Sequence, residues 1–122
     1  MSGKSKSRVS SRSVEQLVAE GHCVDVSSIA KDMGFKTYVL FSLDLYDHCS
    51  LVGEVCEQVK DVLLAFKFAA AKRWSGESVS FEILFQTSIS PSFKRSLCEG
   101  MVSADSRSQM FIYLFLSDAN KR

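Results

Sequence analysis

No stretch of 18 or more consecutive apolar residues occurs in the chain, so no segment has the length and polarity of a membrane-spanning helix. No apolar run follows Met1 that would serve as a secretory signal, and the four cysteines, Cys23, Cys49, Cys56 and Cys98, include no C-x-x-C pair. These absences predict a cytoplasmic protein whose thiols are reduced and mostly buried, behaving as small hydrophobes. The phosphate-cradling loop G-x-x-x-x-G-K-[ST], the dinucleotide fingerprint G-x-G-x-x-G, the nucleophile elbow G-x-S-x-G and the zinc motif H-E-x-x-H are all missing. The sequence therefore offers no catalytic residue, no cofactor and no metal, and reads as a non-enzyme.

Histidine is scarce, and each of the two is followed by a cysteine, His22 by Cys23 and His48 by Cys49. A zinc site would have to gather these with Cys56. Neighbouring residues on a strand point to opposite faces, which keeps His22 and Cys23 from sharing an ion. Cys49 beside His48 has the residue types of a thiol nucleophile and its base, without a recognisable local signature. The carboxylate pairs Asp44 with Asp47 and Glu54 with Glu57 read as solvated helix sides.

What is present is an ordinary globular composition, 46% hydrophobic and 24% charged over 122 residues, enough for one domain with a single core. The net charge of +1 hides an asymmetry: Lys4, Lys6, Arg8 and Arg12 put +4 on the first 13 residues, leaving the rest at −3. Residues 1–12 hold little that can be buried, so they read as a disordered, basic, serine-rich tail ahead of a domain spanning 13–122. Its four cations are the candidate nucleic-acid contacts, through salt-sensitive attraction to phosphates and without sequence reading. The mildly acidic body lacks a broad nucleic-acid face.

Around residues 50–73 the spacing predicts one long helix. Ser50 is its expected cap, Glu54 and Glu57 lie near its positive end, and Lys67, Lys72 and Arg73 lie near its negative end. Leu51, Val52, Val55, Cys56, Val59, Val62, Leu63, Phe66 and Ala70 form one stripe, while Leu64, Phe68 and Ala71 add a second apolar line needing cover of its own. Upstream, Ser13 with Gln16 makes a capping box for a short helix that Gly21 ends. Cys23 to Val26 reads as a short strand. Ser27 or Ser28 caps a second short helix ended by Gly34, Lys36 to Phe41 reads as a strand, and Ser42 with Asp44 fits the opening of another short helix through Asp47, although Leu43, Leu45 and Tyr46 do not separate helix from strand.

Downstream, Ser78 to Thr87 alternates with period two. Ser96 to Ser103 and Gln109 to Leu116 suggest a hairpin about a polar turn at 104–108. The last strand is apolar on both faces, Met110, Ile112, Leu114 and Leu116 against Phe111, Tyr113 and Phe115, which predicts a central or doubly covered position. The fold class is α+β, with one long central helix on a mainly antiparallel sheet and short N-terminal helices. One long helix covers one face only, so the second face must be covered by the N-terminal half or by a second copy of the chain.

The stretch EGHCVDVSSIAKDMGF, with Gly21, Val24, Asp25, Val26, Ser27, Ala30, Gly34 and Phe35, resembles the opening signature of a family of small domains of unknown function carried by bacterial phages, plasmids and other mobile elements. The elements over roughly residues 14–118 are similar in order and spacing, apart from the tail and the region between Ser88 and Ser103. The resemblance implies a gene carried by a mobile element and transfers no catalytic residue. The expectation that follows is an accessory or binding protein acting through protein contacts, with itself or another protein as partner. The alternatives are a dimer binding nucleic acid through its basic tail, and a small-molecule binder with a pocket between helix and sheet.

Overall fold

The computed structural model describes residues 12–50, 55–73, 78–86 and 93–117. They form an α+β fold in which a five-stranded sheet carries helices on both faces. The elements, in chain order, are α1 (Val14–Ala19), β1 (Cys23–Asp25), α2 (Ser27–Asp32), β2 (Tyr38–Ser42), α3 (Leu43–Cys49), α4 (Val55–Arg73), β3 (Ser78–Gln86), β4 (Phe93–Ala104) and β5 (Met110–Leu116). The strands lie in the order β1-β2-β5-β4-β3. Only β2 and β5 run parallel; the other pairings are antiparallel. The last strand is therefore the middle one, as its two apolar faces require.

Strand alternation divides the core. On the first face, Val39, Phe41, Val79, Phe81, Cys98 and Leu114 meet Val59, Val62, Leu63 and Phe66 of α4, with Ala30 and Leu45 supplied by α2 and α3. On the second face, α1 covers only the β1-β2-β5 side: Val14 packs with Cys23, Leu40 and Phe111, and Leu17, Val18, Tyr38 and Tyr113 lie against that cluster.

Several local expectations hold. Ser13 and Gln16 form the reciprocal capping box at α1, and the Ser42 hydroxyl accepts from the Leu45 N–H at the start of α3. Others are corrected. Ser50 closes α3: its hydroxyl donates to the carbonyl oxygens of Tyr46 and Asp47, satisfying acceptors left over at the helix end. The expected helix start at Leu51, Val52 and Glu54 lies outside the described residues. Cys56, expected on the buried stripe, is exposed, as are Leu64 and Phe68 of the second apolar line, the latter at 61%. The sheet covers one side of α4, and these three residues fall outside the width it shields.

α2 has no side-chain cap. Val26 is its N-cap, and Ser27 is its first helical residue. Asp25 Oδ1 instead accepts from the Ser27 N–H at 2.8 Å, and the Ser27 hydroxyl accepts from the Val39 N–H at 3.0 Å, so that serine joins α2 to β2.

Candidate functional site

The signature stretch folds as one unit. Val26 and Ala30 are buried in the main core, and Val24 and Phe35 pack against it. Gly21 and Gly34 take φ of 79° and 95° where α1 and α2 end, a backbone region that L side chains enter at a cost. Asp25 is the acceptor of a local turn. These roles are structural, and Ser27 and Phe35 also line a surface cleft. That cleft, about 300 Å³, lies between α2 and the start of β2, with Lys31, Lys36, Thr37, Tyr38 and Gln109 completing its lining. Three of its polar side chains are committed. Ser27 is bonded to Val39, and the Thr37 hydroxyl and the Gln109 side-chain amide both donate to the Met110 carbonyl oxygen.

A second, more apolar cavity of about 200 Å³ lies between α1 and the second sheet face. Leu17 of α1, His22 and Cys23 at β1, Leu40 of β2, Ser103 of β4, and Phe111 and Tyr113 of β5 line it. Burial pushes the Cys23 thiol up, with Asp25 adding to the effect, so it is a neutral wall and not a thiolate. Burial also raises the Tyr113 phenol, helped by Cys23 and Asp44, so the hydroxyl keeps its proton. His22 turns to Glu20, with Nε2 3.2 Å from Oε1. No spacing in the sequence marks this cavity, because its walls come from five separate elements.

Beyond the reach of α1, the second face continues across β5, β4 and β3. Tyr113, half-buried at the margin of α1, stacks on Phe115 with ring centroids 5.3 Å apart, Met101 lies across from Tyr113, and Leu84 of β3 is 55% exposed. The flanking charges are of both signs: Glu99 pairs in register with Phe115, and Arg95 Nε sits 3.7 Å from Glu82 Oε1. α1 does not extend over this part of the sheet, and Phe68, Ala69 and Lys72 of α4 share a cleft with Ser80, Glu82 and Leu97 of β3 and β4.

The remaining candidates separate. Lys4, Lys6 and Arg8 lie outside the described residues. Arg12 is held at the body, with its guanidinium paired to Glu20 and its carbonyl accepting from the Ser106 N–H at 3.1 Å. Cys49 and Cys98 are buried and their thiols are pushed up to about 12, chiefly by burial, which removes the thiolate that a nucleophile beside His48 would need. Among the described residues no His, Cys, Asp or Glu cluster has the arrangement of a metal site, and no helix is long and apolar enough to cross a membrane. No family model matches the chain, and neither the curated proteins nor the solved structures include a significant match to it.

Proposed function

We propose that the chain is a non-enzymatic binding domain that acts through protein contacts, with the β3-β4-β5 part of the second sheet face as its contact surface and a second copy of the chain as its occupant. The carrying observation is the half-buried apolar surface of Met101 and Phe115 beside Tyr113, with the exposed Leu84 standing apart from it across from Arg95, on the part of the second sheet face that α1 does not cover. Soluble proteins keep such contiguous apolar area small unless something docks on it. Glu82 and Glu99 stand on the same face as Arg95, so a two-fold copy meets opposite charge along with apolar surface. The setting implied by the resemblance of residues 21–35 is a bacterial mobile element, with this protein as an accessory to it.

Light scattering on a sizing column tests the reading. The full chain is expected at twice its 13.6 kDa mass. Leu84→Glu and Met101→Glu are expected to return it to a monomer while leaving its far-UV circular dichroism unchanged. A wild-type monomer at every concentration, or dimers that survive both substitutions, overturns the reading.

A further inference from the structure

We infer that the cavity under α1 is a binding site for a small, neutral, monocyclic aromatic molecule carrying a hydroxyl group. This goes beyond the sheet-face reading and stands without it. The cavity opens to solvent, and its volume of about 200 Å³ is on the scale of one ring with a substituent. Leu17, Leu40 and Phe111 supply apolar walls on three sides.

The polar groups at the wall define the ligand further. The Tyr113 phenol and the Ser103 hydroxyl both belong to residues that line the cavity. A protonated phenol and an alcohol can each donate one bond and accept another, which suits a ligand hydroxyl. Asp25 near Cys23 and Asp44 near Tyr113 put negative charge beside the cavity, which disfavours carboxylates and phosphates. An apolar pocket with a few convergent polar groups is the usual form of a small-molecule site.

Titration of the full chain with p-cresol and with toluene, followed by nitrogen-15 NMR, reads this directly. Both probes are expected to bind in the millimolar range and to shift the amide signals of Leu17, Cys23, Ser103 and Phe111. Tyr113→Phe is expected to weaken p-cresol about three- to tenfold and leave toluene unchanged, as loss of one hydrogen bond predicts. Leu17→Trp, which fills the cavity, is expected to abolish both, and its amide spectrum reports whether it folds. Should Leu17→Trp not fold, the wild-type shift map and Tyr113→Phe still decide the matter. No shifts in the wild type, shifts that map elsewhere, or equal weakening of both probes by Tyr113→Phe would overturn the inference.

Discussion

Gly100 of β4 lies directly beneath Phe66 of α4, and the two set how closely the long helix approaches the sheet. A Cβ placed on Gly100 would stand 2.5 Å from Leu114 Cδ2 and closer still to the Phe66 ring. Phe66 is buried there against Phe81, with ring centroids 5.9 Å apart, and against Phe35, at 6.3 Å. The missing side chain on β4 is thus the socket for the aromatic ring that joins helix, sheet and the end of α2.

Gly100→Ala is expected to cost about 1–3 kcal/mol, the usual range for overpacking a tight core, as read from urea denaturation. Phe66→Leu alone should also destabilise. Because the smaller side chain relieves the clash, the double variant should lose less than the two single losses combined. Strict additivity would show that the ring and the Cβ never compete for the same space.

Lys67 closes α2 from a distance. Its Nζ donates to the Met33 carbonyl oxygen at 2.8 Å and lies 5.8 Å from the centre of the Phe35 ring. Lys67→Met keeps the alkyl stem but loses the bond, with an expected loss of about 0.5–1.5 kcal/mol. Gly34→Ala strains the same corner twice, since φ there is 95° and Nζ sits 3.3 Å from where the new Cβ would be. Its expected loss is about 1–2 kcal/mol. Thermal melts of both variants check the pair, and an unchanged melting temperature for Lys67→Met would show the bond to be replaced by water at no loss.

Features encoded within a few residues were legible in the sequence, and those assembled from distant segments were not. The capping box at Ser13 and Gln16, the alternation of β3 and the double apolar face of β5 each follow from local periodicity. A serine between two helices can serve either, and the role of Ser50 at the end of α3, where the last carbonyls take its hydroxyl, has no mark in the local pattern. The stripe on α4 was drawn too wide because periodicity gives the direction of a buried face, whereas its width depends on the sheet opposite. Asp105 looked like a turn residue of no special standing, and nothing local to it points to Val14, 91 positions away. The cavity under α1 was invisible for the same reason.

Asp105 ties the start of the fold to the β4–β5 turn, and this makes acid stability a test of it. It is buried, and its carboxylate accepts from the backbone N–H groups of Val14 at 2.8 Å, Arg107 at 2.9 Å and Gln109 at 2.8 Å. Burial alone would raise its pKa, but these three donors, with the Arg107 charge, outweigh it and hold the carboxyl below its ordinary range. A group with a depressed folded pKa stabilises fully above its unfolded value, about 3.9, and loses that contribution as pH falls through the lower folded value. Asp105→Asn supplies one acceptor oxygen where two are used, so its melting temperature should be lower than the wild type's near neutral pH. The gap should narrow below about pH 4. A gap independent of pH would show that shape, and not charge, is what the turn requires.

The thiols give a test of the core that needs no variant to begin. Cys23, Cys49 and Cys98 are buried and only Cys56 is exposed, on the side of α4 away from the sheet. The burial that pushes Cys49 and Cys98 up to about 12 also keeps reagent out, so both protonation and access protect them at neutral pH. A thiol-specific disulfide reagent should therefore react quickly with one equivalent in the native protein. The other three should react only as the fold opens, at a rate that rises with denaturant. Cys56→Ser should remove the fast equivalent and leave the slow ones unchanged. If Cys23 reacted as fast as Cys56, α1 would have to lift from the sheet readily, and the same opening would admit ligands to the cavity beneath it. Slow reaction at Cys23 that slows further with p-cresol present would link the thiol's protection to occupancy of that cavity.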